Sequence, residues 1–204
     1  MLELVFVIVV IGILSAMIIP RLDRDNRFEA ATQVLQHIKY TQHLAMTEDV
    51  YDDTDPDTGA GTGWFKERWE IQFYGCGGYA IHSDRGEDGG NAALADAALD
   101  PQTGKSLWID AVCSAPNPNE FEKMNLVTYY NLDTPNGFDF SAGCNGQSLS
   151  FDTLGRPYGT NTINGVIKQN CDIQLNFPAG PEVVRVHPET GYACILDGVG
   201  GNCI

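Results

Sequence analysis

Met1-Leu2-Glu3-Leu4-Val5-Phe6-Val7-Ile8-Val9-Val10-Ile11-Gly12-Ile13-Leu14-Ser15-Ala16-Met17-Ile18-Ile19-Pro20 opens the chain, and the reading of the whole depends on it. Every residue over 4–19 is apolar or small. As a helix rising about 1.5 Å per residue, the run spans ~24 Å. That is somewhat short of a ~30 Å hydrocarbon core, and Met1 and Leu2 lengthen it. A secretory signal would place basic residues ahead of a shorter apolar core and a small-x-small site behind it. Here no Lys or Arg precedes the core. Pro20 lacks a backbone donor and crowds the preceding turn, so a kink or local unwinding is expected there.

Past Pro20 the helical signal continues. Phe28, Ala31, Val34, Leu35, Ile38, Thr41, Leu44 and Ala45 recur at three- and four-residue steps and form one stripe. Arg27, Glu29, Gln33, Gln36, Lys39 and Gln42 fill the other faces. A helix that is apolar all round at first and amphipathic afterwards has two environments. The first half suits lipid or other helices, and the second suits a folded body.

Glu3 is the exception inside the apolar segment. A carboxylate at a bilayer centre costs about 2.5–3.5 kcal/mol on insertion scales, and less near the interface. A simple anchor gains nothing from it. It either sits at headgroup level or meets a partner.

The run from Leu2 to Pro20, with Glu3, Gly12 and Pro20 at their mutual spacing, resembles the N-terminal methylation motif of type IV pilins and pseudopilins. Family members carry a short basic leader that a prepilin peptidase removes, after which the new N-terminus is methylated. The family glutamate lies four residues after that terminus, whereas only two residues precede Glu3. The sequence is therefore expected to lack the leader and two residues of the mature start, with Met1 internal. The resemblance implies that Glu3 pairs in the membrane with the N-terminal amine of the neighbouring subunit, which offsets its desolvation and sets the register. Gly12 and Pro20 resemble the residues that bracket a stretch able to lose its helical hydrogen bonds. The implied partners are identical or homologous subunits in a helical filament, the inner membrane before assembly, the prepilin peptidase and an assembly platform.

The remainder reads as a different kind of structure. Of 204 residues, 12 are Lys or Arg and 27 are Asp or Glu, for a net charge of −15. The first 50 residues hold four basic and six acidic side chains, which leaves eight and 21 for the rest. An acidic head of this kind repels phosphates, so nucleic-acid binding is not expected. Cys76, Cys113, Cys144, Cys171, Cys194 and Cys203 all lie in the head, with wide spacings and no C-x-x-C. That pattern speaks against a zinc site or a thioredoxin-like redox motif and for disulfides in an oxidising compartment. Six cysteines allow fifteen pairings. Cys194 with Cys203, closing a Gly- and Asn-rich turn, is the local candidate.

Helical signals stop near Val50. Asp53-x-Asp55-x-Asp57-x-Gly59 resembles a calcium loop, but the glycine is one place late for an EF-hand and no closing glutamate follows. Asp53, Asp55 and Asp57 are thus weak calcium candidates beside the reading of a solvated acidic turn. A second acidic turn spans 83–89. Strands are expected at 69–73, 78–82, 126–130, 148–151, 171–177, 183–186 and 192–195, with an irregular insertion over 84–125. Pieces at 38–45, 149–156 and 183–192 are similar to H-type minor pseudopilins and FimT-like minor pilins. No G-x-S-x-G, H-E-x-x-H or phosphate loop occurs. His37 and His43 would not share a helix face, and His82 and His187 stand alone. No enzyme activity is expected. Asp152 and Arg156 are read as a possible structural pair.

The expected organisation is α+β: residues 1–50 as an assembly helix with a hydrophobic and an amphipathic half, packed on an antiparallel, disulfide-bonded, β-rich head over 51–204, in the type IV pilin fold. The expected function is a structural subunit of a type IV pilus-like filament, with its head exposed for adhesion, motility or uptake. It would sit in the inner membrane before assembly and outside the cell afterwards. The alternatives are a periplasmic pseudopilin of type II secretion and a membrane-tethered periplasmic enzyme or binding protein.

Overall fold

The computed structural model describes residues 2–48, 68–83, 94–135, 137–144, 146–159, 165–198 and 200–204, and within the first helix the side chains of 3–14 and 26–47. The calcium candidates Asp53, Asp55 and Asp57, and the second acidic turn beyond Ser83, lie outside the described residues.

Helix α1 runs Leu2–Thr47. Its buried stripe is Ala30, Ala31, Val34, Ile38, Thr41 and Ala45, the spacing of one helical face. Phe28, expected in that stripe, is exposed instead. Small residues at 30, 31 and 45 let the helix lie close against the strands beneath it.

Two four-stranded antiparallel sheets make up the body. The first is built from β1 (Trp69–Phe73), β2 (Tyr79–Ser83), β4 (Ser148–Phe151) and β5 (Pro157–Gly159), in the order β2-β1-β4-β5. The second holds β3 (Phe138–Phe140), β6 (Cys171–Leu175), β7 (Glu182–Val186) and β8 (Ala193–Ile195), in the order β3-β6-β7-β8. In β1, Trp69, Ile71 and Phe73 are buried and alternate with half-buried Glu70 and Gln72. β6 repeats the pattern with Cys171, Ile173 and Leu175. Helix α1 packs on β1 and β4 of one sheet and on β7 and β8 of the other. It therefore bridges the two, and the buried residues of both sheets join its stripe in one core.

The expected type IV pilin fold is corrected here. The strand-rich body is built on two separate antiparallel sheets, which is not the arrangement that fold implies. Part of the reason is local. Proline cannot donate to a ladder and is confined to edges, and Pro157 opens β5 opposite Phe151. Sheet one ends there, and β6, β7 and β8 join β3, already formed earlier in the chain, in the second sheet.

A second correction concerns 126–130. The expected strand is a short helix, α2 (Leu126–Tyr130). The Asn125 side chain accepts a hydrogen bond from the Thr128 amide at 3.1 Å, and Asn131 closes the helix in the left-handed conformation at φ 59°. Asparagine suits both roles, and here the caps outweigh the β-propensity of Val127, Tyr129 and Tyr130.

Covering segments protect one edge of each sheet, at β2 and at β8. The 94–125 stretch, though irregular, returns along β2: the Ala98 amide donates to the Ile81 carbonyl at 2.8 Å, and the Ile81 amide to the Leu107 carbonyl at 2.9 Å. Cys76–Cys113 staples it. On the far side of sheet two, Leu196 bridges Cys203, and the Ile204 amide donates to the Ile195 carbonyl at 3.0 Å. Paired edges of this kind resist strand addition by other chains.

Candidate assembly helix and its seat on the body

Of the residues singled out for assembly, Glu3 and Gly12 lie on the exposed stretch of α1 over 3–14. Glu3 is exposed in its first turn, where a carboxylate also complements the helix dipole. Leu4, Val5, Phe6, Val7, Ile8, Val9, Ile11, Ile13 and Leu14 are each more than half exposed, with Phe6 at 68%. A Cβ built on Gly12 would meet nothing within 4 Å, so the gap at this position is open to another surface. Pro20 falls inside the bounds of α1, and its side chain lies outside the described ones.

The seated part of α1 is held by polar contacts as well as by its stripe. Gln33 is the hub. Its amide nitrogen donates to the Tyr79 hydroxyl at 2.8 Å and to the Lys123 carbonyl at 2.9 Å, while its oxygen accepts from Tyr130 at 2.8 Å. Lys123 also pairs with Glu29 at 3.0 Å, and that ammonium lowers the Glu29 carboxyl below the usual range. This pair is largely exposed and contributes little. Arg27 donates to the Gly180 carbonyl at 2.9 Å and stands 3.6 Å from Glu182. Near the other end, Gln42 donates to the carbonyls of Gly155 and Thr190 at 2.8 and 3.1 Å. The Trp69 indole donates to Glu48 at 3.0 Å. The helix is thus fixed in rotation and in axial register at several heights.

Sequence reading missed this seam. It placed Gln33 and Gln42 on the solvent faces and gave His37 no partner. In the structure His37 Nδ1 lies 2.8 Å from the Tyr79 hydroxyl. The available signal was the i, i+4 spacing of Gln33, His37 and Thr41 beside the apolar stripe.

The cysteines form three disulfides: Cys76–Cys113, Cys144–Cys171 and Cys194–Cys203. Each ties a connecting segment to a strand or its turn. Asp152 and Arg156 form a 2.7 Å ion pair, and the Asp152 carboxylate also accepts from the Leu154 and Arg156 amides and from Tyr158. These bonds outweigh its partial burial and lower its pKa. The group shapes a turn.

Among the described residues, no helix is long and apolar enough to cross a membrane. Comparison with protein families, with curated proteins and with solved structures finds no match. The class that fold and site define is a two-sheet, disulfide-bonded α+β body carrying an apolar helical extension.

Proposed function

We propose that this chain is a structural subunit of a type IV pilus-like filament that polymerises through its N-terminal helix and carries its body on the filament surface. The carrying observation is the exposed apolar surface of residues 4–14. A contiguous run of that kind, left in water, marks an interaction surface. Copies of the same helix are its natural cover. Gly12 permits close approach, and Glu3 provides a charge that pairing with a neighbour would satisfy. The rigid seating of 26–47 supports the same reading, because a fixed helix transmits one geometry from the apolar bundle to each body. Three disulfides and an acidic body suit exposure outside the cytoplasm. Before assembly the apolar helix would be held at the inner membrane.

The test is to shear surface filaments from cells and identify their principal protein by mass spectrometry. Recovery of this chain in quantity supports a pilus subunit. Its absence, with loss of exoprotein release in a deletion strain, replaces that reading with a type II secretion pseudopilin.

A further inference from the structure

Beyond assembly, and independent of it, one cluster has metal-binding chemistry. His187, Cys194 and Cys203 each offer a ligand atom, and the three atoms lie within 4.8 Å of one another. His187 follows β7, Cys194 is the middle residue of β8, and Cys203 sits on the segment that bridges back to Leu196. His187 Nε2 is 3.5 Å from Cys203 Sγ. The imidazole is held from behind: its ring lies 5.6 Å from that of Tyr192, and the His187 amide donates to the Tyr192 carbonyl at 2.8 Å.

We propose that opening the Cys194–Cys203 disulfide converts His187, Cys194 and Cys203 into a three-ligand zinc site. Tetrahedral zinc takes sulfur at about 2.3 Å and imidazole nitrogen at about 2.0–2.1 Å. Those bond lengths put ligand atoms about 3.6 Å apart for sulfur and nitrogen, and about 3.8 Å apart for two sulfurs. The nitrogen–sulfur edge is therefore already set. Two edges remain: the sulfur–sulfur edge, reached when the two sulfurs separate on release from the covalent bond, and the edge from the His187 nitrogen to Cys194 Sγ, whose atoms already lie within 4.8 Å. Cys203 is exposed, so the fourth position faces solvent and is left to water.

The reductant is a dithiol. Its thiolate attacks exposed Cys203 Sγ and releases Cys194 as a thiolate. The second thiol of the reductant then resolves the mixed disulfide, leaving a cyclic disulfide and two reduced cysteines. Zinc binding displaces the protons of both thiols. The sulfurs stay together because the backbone holds without the bond: Asp197 donates to Asn202 at 2.9 Å, and Ile204 to Ile195 at 3.0 Å. The disulfide also closes the shortest of the three loops, nine residues against 27 and 37, so its loss relaxes the chain least.

The whole chain is treated with limiting dithiothreitol, and alkylation with mass mapping identifies the opened bond. Zinc is then titrated by equilibrium dialysis, with cobalt(II) as a spectroscopic probe. The expected result is one zinc per reduced chain and none in the oxidised chain, a thiolate-to-cobalt band, and protection of Cys194 and Cys203 from alkylation. His187→Ala is expected to weaken binding at least tenfold, and Cys203→Ser to abolish it, with circular dichroism verifying that each oxidised variant is folded. Absence of zinc from the reduced chain, or equal binding by His187→Ala, overturns the proposal. Should His187→Ala fail to fold, retention of the site by Cys203→Ser overturns it equally.

Discussion

The Tyr79 hydroxyl sits 2.8 Å from His37 Nδ1 and joins the middle of α1 to β2. Gln33 already donates to the phenol oxygen, so the phenol proton is directed at His37, whose Nδ1 accepts as the unprotonated nitrogen of a neutral ring. The ring lies edge-on to Tyr79 and Phe121, with centroids 5.6 and 6.1 Å away. A protonated Nδ1 cannot accept that bond.

Acid is therefore expected to loosen the seat of the helix. Burial pushes the His37 imidazole down to about 4, against about 6.5 in an unfolded chain. Between those values the unfolded chain binds a proton that the folded chain does not. Stability is fully present above about pH 6.5 and falls as pH drops towards 4. The loss is about 2 kcal/mol after allowing for the residual exposure of the ring. Carboxylates also titrate in this window, so the measurement is a difference: urea midpoints of wild type and His37→Gln between pH 7 and 4.5. The variant should show the shallower slope, and equal slopes would remove His37 as the source.

Gly191 packs where no side chain fits. Its φ is +66°, and a Cβ there would stand 2.5 Å from Gln42 Nε2 and 2.5 Å from the Gly155 carbonyl oxygen. Gly191→Ala should cost about 2–3 kcal/mol through backbone strain and loss of the Gln42 contacts. Gly198, at φ +80° with nothing within 4 Å, isolates the strain alone. Gly198→Ala should cost about 1 kcal/mol. Urea unfolding of both variants checks the ordering, and similar costs would show that close packing at Gly191 contributes nothing.

The Cys144–Cys171 disulfide closes a loop of 27 residues between a 3-10 turn and the start of β6. Both residues are buried. Replacing the pair by alanine should cost about 3–4 kcal/mol on the chain-entropy account. Replacing Cys194 and Cys203 should cost less. Chemical denaturation of the two double variants, without reductant, gives the comparison.

Assembly and folding of the body should separate. Deleting residues 2–14, whose described side chains are exposed, is expected to leave the unfolding free energy of the body within about 0.5 kcal/mol of wild type while filaments are lost. Glu3→Ala should likewise reduce filaments strongly, and its circular dichroism and urea midpoint should match wild type. Normal filaments from Glu3→Ala would refute a role for that carboxylate in assembly.

Much of this was legible locally. The alternation of Trp69, Ile71 and Phe73 marked β1, and β4, β6, β7 and β8 were marked within one or two residues. The stripe from Ala31 to Ala45 marked the buried face of α1. The short strands β3 and β5 were missed, since three residues carry too little periodicity to register. The 126–130 segment was misread because its β-branched and aromatic residues outweighed two asparagines that, in place, cap a helix.

By itself the sequence determined an apolar helical start interrupted by Glu3, an amphipathic continuation, an acidic β-rich remainder, and six cysteines suited to disulfides. Each of these is a property of neighbouring residues or of composition. Tertiary structure alone decided that the strands divide into two sheets, that α1 bridges them, and that Gln33 and His37 meet Tyr79. The partners in those contacts are 46 and 42 residues apart. Their meeting depends on how whole elements pack and pair, which no local periodicity encodes.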